Sequence, residues 1–304
     1  MESIMSKDSI DKVLQQAQTP VLLVDTKDGL VIPVSIDSSI VLPVTVTPTD
    51  YFLEIAQGNI AGQASVNKFG RSTNVDSGIS TDIWDRANAA DDQDIWLAPT
   101  AARIHTIASG SASDNTGGIG ANSIVISYLP DWNTRETTEI VTGNLNAGIA
   151  MANAAVMINR MEVLVQATST SANVGTITAT AAIDGTVTAQ INPGEGQTQM
   201  AIYGIPSIQV AYMVQFYVSI LRSASSAAAI DGGILFNPIP NVNPLVFIVK
   251  HTTGKISTGT SDGNPHGFEP YNKFAGPGIL KIQAAGSANN LDVSAGFDLI
   301  LVDN

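Results

Sequence analysis

The stretch Thr176-Ile177-Thr178-Ala179-Thr180-Ala181-Ala182-Ile183-Asp184-Gly185-Thr186-Val187-Thr188-Ala189-Gln190-Ile191 sets two alternating runs on either side of Asp184-Gly185. β-branched residues suit a pleated, half-buried surface, and Asp-Gly supplies the positive-φ positions of a tight turn, so the stretch predicts a β-hairpin. Working outward, Val163–Leu221 contains no Lys, Arg or His and only two acids, Asp184 and Glu195. Such a segment is built to pack against protein. It lacks the acids, bases and electrophiles that an enzyme holds within reach of one another.

The same punctuation recurs on both sides of the hairpin. Short β-branched or apolar segments at Ala102–Ala108, Ser123–Leu129, Glu139–Thr142, Met161–Ala167, Met200–Tyr203, Val210–Leu221, Gly233–Phe236, Leu245–His251, Ile279–Ala284 and Ala295–Leu301 are divided by Gly, Asn, Pro and Ser. Many short strands with few helical patterns predict an all-β protein of one or two β-sandwich or jelly-roll-like domains. Ala147–Ile158 reads either as a helix or as an apolar strand after a loop. The near-continuous apolar strand Phe297–Val302 is expected to be paired and buried, because a free edge of that kind aggregates.

The N-terminal region differs. Lys7–Gln18 reads as a short helix capped by Ser6 and closed by Pro20, within an arm spanning residues 1–50. Two related pieces follow, Val31-Ile32-Pro33-Val34 and Val41-Leu42-Pro43-Val44. Each Pro removes a ladder donor and restricts these pieces to edge positions. They read either as edge strands of the chain's own sheet or as an extended arm laid on a neighbouring subunit, with Val31, Ile32, Val34, Val41, Leu42 and Val44 at the interface. Residues 51–80 turn Gly-, Ser- and Asn-rich from Asn59 onward and read as a linker or loop. A β-sandwich domain over residues 81–194 and a second over 195–304, or the second half of one sandwich, are separated by the break Asn192-Pro193-Gly194-Glu195-Gly196.

Composition narrows the function. Of 304 residues, 13% are charged against 44% hydrophobic, and the charged share is roughly half the usual ~25%. Much surface must therefore be neutral or covered by other subunits, which predicts a homo-oligomer. A net charge of −13 without Lys/Arg clusters argues against nucleic acid as a partner. No leader-like start and no eighteen-residue apolar run is visible, so the reading is a protein made in a cytoplasm with no membrane contact. The chain has no Cys, which removes thiolate chemistry and Cys-ligated zinc together.

Candidate sites are few. His105, His251 and His266 belong to no short metal or triad motif. The acids Asp82, Asp85, Asp91, Asp92 and Asp94 offer hard oxygens to calcium, with Asp91, Asp92 and Asp94 the best placed. They lack an EF-hand's glycine and distal Glu, and a solvated loop beside buried Trp84 and Trp96 is the favoured reading. Asp131, Trp132 and Asn133 are the candidates for glycan contact, against the alternative that Trp132 plugs the end of a core. No catalytic residue, cofactor site or metal site is assigned.

Five stretches carry a resemblance: Ser65-Val66-Asn67-Lys68-Phe69-Gly70-Arg71, Asp82-Ile83-Trp84-Asp85, Gln197–Pro206, Ala211-Tyr212-Met213 and the ending Ala295–Asn304. From about Tyr51 to the C-terminus the chain resembles a group of virion structural proteins of tailed bacteriophages, many of them marine. It departs from their pattern at Ser207-Ile208-Gln209-Val210, where a Gly-Lys-Thr turn is more usual. The resemblance implies a non-enzymatic part of the virion, foremost a capsid-associated decoration or head-fibre type protein attached through its N-terminal region. The alternatives are a tail-associated or receptor- and glycan-binding module and, last, a glycan hydrolase. The expected partners are copies of itself, a trimer favoured, and other virion proteins such as the major capsid protein.

Overall fold

The computed structural model describes residues 21–22, 34–35, 50–86, 95–166, 172–222, 228–257 and 262–304. The chain divides into two compact units, Met1–Leu53 and Glu54–Asn304. In the first, β1 (Val21–Leu22) pairs antiparallel with β2 (Val34–Ser35). Val34 thus stands opposite Leu22. The helix expected over Lys7–Gln18 and the interface candidates Val31, Ile32, Val41, Leu42 and Val44 lie outside the described residues.

Among the described residues of the second unit the paired strands are all antiparallel, so the all-β class holds, but they are built as four sheets that share cores, not as one clear sandwich. The longest sheet orders β16 (Asp262–Ala275), β13 (Gln209–Arg222), β18 (Leu291–Asp303) and β3 (Gln63–Val75). Facing it are β12 (Ile202–Ile205), β17 (Gly278–Gly286), β14 (Ala228–Asn237) and β15 (Ile248–Ser257), with β4 (Thr81–Asp82) added to β17. These two sheets enclose one core around Phe216, Phe297, Phe274 and Ile234. A second core, around Ile107, Ile124, Ile158 and Ile177, lies between two further sheets. One runs β11 (Val187–Ile191), β10 (Ile177–Ala181), β5 (His105–Ser109), β8 (Ile149–Ala150); the other runs β7 (Thr137–Thr142), β6 (Ala121–Leu129), β9 (Met157–Gln166). A third cluster, holding Trp84, Trp96, Trp132, Leu129 and Met157, joins residues of both halves.

The central hairpin forms as read. β10 and β11 pair antiparallel, Gly185 takes φ +68 and Ile183 takes φ +73 at the tip. Asp184 does more than turn the chain: its carboxylate accepts from Thr100 N–H at 2.8 Å and pairs with Arg103 at 3.1 Å. The bond from Arg103, followed by that from the Thr100 amide, holds its acid below the usual carboxylate range. The C-terminal strand β18 runs between β13 and β3, with Phe297, Leu299 and Leu301 buried, so both edges are paired. Ala147–Ile158 is not helical beyond a 3-10 turn at Leu145–Ala147.

Residues 51–80 correct the linker expectation. A short helix, Tyr51–Ala56, is followed by the thirteen-residue strand β3, which pairs with β18 from Gln63 to Val75. The inward positions of β3 are Lys68, Gly70, Ser72 and Val75, so small and polar residues stand where an apolar alternation would have marked a strand. Gly70 has a steric reason. A Cβ there would lie 2.4 Å from the Ile83 carbonyl and 2.5 Å from the Ala201 nitrogen, because another stretch of backbone passes directly over the strand.

Candidate functional site

The aromatic and acidic candidates are drawn into the interior. Trp132 is only 6% exposed and packs in the cluster with Trp84 and Trp96. One side of it lines a cavity of about 310 Å³ with Thr100, Val156, Pro240 and Leu245. Asp131 spends its carboxylate on its own turn, accepting from Asn133 N–H at 2.7 Å and Thr134 Oγ1 at 2.9 Å, while Asn133 accepts from Ser207 Oγ. The trio builds a loop, and a ring this buried offers little face to a sugar. Asp82 lies in the core, 2.8 Å from Lys281 Nζ, and accepts the Trp96 N–H at 2.7 Å. Burial still lifts its acid above the usual range, with Lys281 pulling it down less. Asp91, Asp92 and Asp94 lie outside the described residues. Among the described residues no group of three or more His or carboxylates converges as a metal site would require.

Of the histidines, His251 and His266 meet. Their rings stack at 4.7 Å between centroids, with Phe216 and Phe268 edge-on to both. His105 stands apart, fully buried, with Nδ1 3.0 Å from the Arg103 carbonyl. Burial pushes it down to about 4.

The least ordinary chemistry lies where no candidate was placed. Lys68, 2% exposed on β3, donates from Nζ to the backbone carbonyl of Asn159 on β9. Asn159, 1% exposed, gives its amide nitrogen to Glu136 Oε2 at 2.5 Å, and its Oδ1 accepts the Gly204 N–H at 2.8 Å. Glu136 reaches in from the exposed approach to β7 and also takes the hydroxyl of buried Tyr203. Together with Ser127, Arg160 and Glu162 these residues line a cavity of about 410 Å³. Burial, helped by the nearby charge of Arg160, pulls the Lys68 ammonium down to about 7 against the opposing pull of Glu136 and Asp85. Burial and the adjacent Glu136 push the Tyr203 phenol well above its ordinary value.

A smaller cavity of about 110 Å³ holds Asp85 beside Arg71, Asn192, Glu195 and Gln199. Arg71 is bound to Asp292 at 2.7 Å and lies 4.0 Å from Glu195, so its charge is already shared. Burial pushes the Asp85 acid up to about 8, the backbone amides of Gln199 and Asn192 offsetting only part of that. None of this was legible as a motif. Lys68 and Asn159 stand 91 residues apart and Asn159 and Glu136 stand 23 apart. The one visible signal was a lysine in the middle of Ser65–Arg71, at a position that proves to be an inward one.

Fold and sites together define an antiparallel all-β protein whose buried polar groups sit at the meeting of its sheets. No family model matches the chain, and no curated protein matches it. Among solved structures it is similar to a chain in the structure of infectious bursal disease virus Gt strain, at 10% identity and TM-score 0.25, covering 84% of this chain and 78% of that one. A chain of the T=1 particles derived from infectious bursal virus gives 10% identity and TM-score 0.24, covering 80% and 70%. Overlap at this level defines neither a family nor a function. No helix among the described residues is long and apolar enough to cross a membrane.

Proposed function

We propose that this chain is a structural protein of a tailed-bacteriophage virion, of the capsid-associated decoration or head-fibre type. It is made in the host cytoplasm, joins the particle through its N-terminal region, contacts other virion proteins such as the major capsid protein, and associates with copies of itself as a trimer without turning over a substrate. The observation that carries the reading is an apolar margin on the body. Ile239, Val242, Val246, Ile248 and Val249 are each about half exposed in and before β15, the edge strand of its sheet. An open edge flanked by exposed aliphatic side chains is a template for another chain, and soluble proteins cover or charge such edges. The low charge of the whole sequence, 13%, supports the same reading.

The test is the assembly state of the full chain. Light scattering is expected to return an oligomer that Val246→Asp with Val249→Asp converts to a folded monomer. The same double variant is expected to be depleted from particles purified on a density gradient. A wild-type chain that stays monomeric at high concentration and is absent from purified particles overturns the proposal.

A further inference from the structure

The Lys68–Asn159–Glu136 arrangement has the parts of a self-catalysed acyl transfer. We infer that Lys68 and Asn159 join through an intramolecular isopeptide bond, Lys68 Nζ to Asn159 Cγ, with Glu136 carrying the proton. Each part has a position. The nucleophile is a lysine 2% exposed whose Nζ is held at the main-chain carbonyl of the same residue whose side chain it attacks. The electrophile is the carboxamide of Asn159, and its oxygen already accepts the Gly204 N–H at 2.8 Å, the donor needed when that oxygen becomes an oxyanion. The leaving nitrogen is bonded to Glu136 Oε2 at 2.5 Å.

The balance is simple. The Nζ lone pair adds to Cγ, forming the C–N bond and placing negative charge on Oδ1. The proton shed by Nζ passes to the Glu136 carboxylate, which delivers it to Nδ2. The Cγ–Nδ2 bond breaks, ammonia departs, and an amide remains with Glu136 returned to its starting form. Nothing is oxidised or reduced. Burial serves the step twice. It favours the neutral amine, since the ammonium is drawn down to about 7 by its surroundings. It also keeps water from Asn159, where attack would give deamidation instead. Glu136, on the exposed side of the cavity, marks the route by which ammonia leaves.

The bond would tie β3 to β9, fastening the long sheet to the sheet of β6, β7 and β9 across 91 residues of chain. A cross-link closing so long a loop constrains the unfolded chain strongly. That benefit suits a part that must survive outside a cell.

The test is the intact mass of the purified full chain after incubation in mildly alkaline buffer, followed by peptide mapping. The expected result is a mass lower than the sequence mass by one ammonia, and a branched peptide in which the segment containing Lys68 is joined to the segment containing Asn159. Glu136→Gln, which keeps a hydrogen-bonding side chain, is expected to fold, to show the full sequence mass, and to melt roughly 10 °C lower. A folded wild-type chain at full sequence mass overturns the inference, and so does loss of ammonia without the branched peptide, which would mark a succinimide. These readings come from the wild type and stand even if the variant does not fold. A branched peptide in Glu136→Gln would overturn the proton route through that residue.

Discussion

Asp114 and Asp85 are both carboxylates withdrawn from water, and their surroundings could hardly differ more. Asp114 is fully buried, and four donors converge on it: Ala121 N–H and Val174 N–H at 2.9 Å on one oxygen, Gly175 N–H at 2.8 Å and the Ser109 hydroxyl on the other. It gathers the loop before β6 and the loop before β10 onto one acceptor. Asp85 sits in a cavity whose cation is occupied by Asp292, and neither of its oxygens accepts a bond of good geometry. The lesson is that burial alone does not say what an acid does. A carboxylate with all its acceptor sites used is a fastener; one short of donors is pushed toward its neutral form and becomes a liability that varies with pH.

The sharpest way to break the comparison is to remove the fastener. Asp114→Ala leaves three buried or half-buried amides and a hydroxyl without their acceptor. It is expected to cost about 5 kcal/mol, since each orphaned donor costs ~1–3 kcal/mol and water can rescue only some of them. The urea midpoint of unfolding measures it. A cost below about 1 kcal/mol would mean that the two loops are held by something else.

Asp85 should give the opposite sign. Its acid lies at about 8 in the folded chain against 3.8 unfolded, so the folded state binds the extra proton across that window. Stability is therefore greatest near the lower limit and is lost as pH rises toward 8. Asp85→Asn removes this dependence. The stability of the variant relative to wild type is expected to be near zero or negative at pH 4 and to grow by about 4 kcal/mol by pH 8. Taking the difference cancels His105, whose lowered value makes wild-type stability fall as pH drops from 6.5 toward about 4. A variant less stable than wild type at pH 8 would place Asp85 with Asp114 and dissolve the contrast.

What the sequence disclosed follows from the same physics. The hairpin at Thr176–Ile191 and the buried terminal strand were legible because β-branched alternation and a turn dipeptide are local signals. β3 was not, because Lys68, Gly70 and Ser72 occupy its inward face, and their reasons are a polar cavity and a crossing backbone that only the fold creates. β16 was missed because Pro265 and Pro270 argue against a strand. It tolerates them as an edge strand, in a register that slips opposite Met213 and Gln215. The buried acids show the same divide. Asp82 and Asp85 read as members of a solvated acidic loop, because charge spacing is visible in sequence while burial is not. For the Trp132 loop the sequence offered both a sugar-stacking surface and a plug at the end of a core, and the burial of the ring against Trp84 and Trp96 is that of a plug.

The smallest effect is expected where burial is least, at the stacked pair His251 and His266. One ring comes from β15 and the other from β16, the edge strands of the two long facing sheets, so the pair closes the margin of that core. Partial burial, followed by the charge of His266, lowers the His251 value below 6.5. A lowered histidine binds fewer protons folded than unfolded, so its contribution is intact above pH 6.5 and is lost as pH falls through that value. His251→Gln is expected to melt a degree or two higher relative to wild type at pH 5.5 than at pH 7.5, while leaving the Asp85 dependence between pH 3.8 and about 8 unchanged. Because His266 is exposed, water screens the repulsion that a second proton brings, and the effect stays small. An unchanged melting curve for His251→Gln over that range would mean that the stacked rings open on protonation at no cost, and that the margin of the core is held by Phe216 and Phe268 alone.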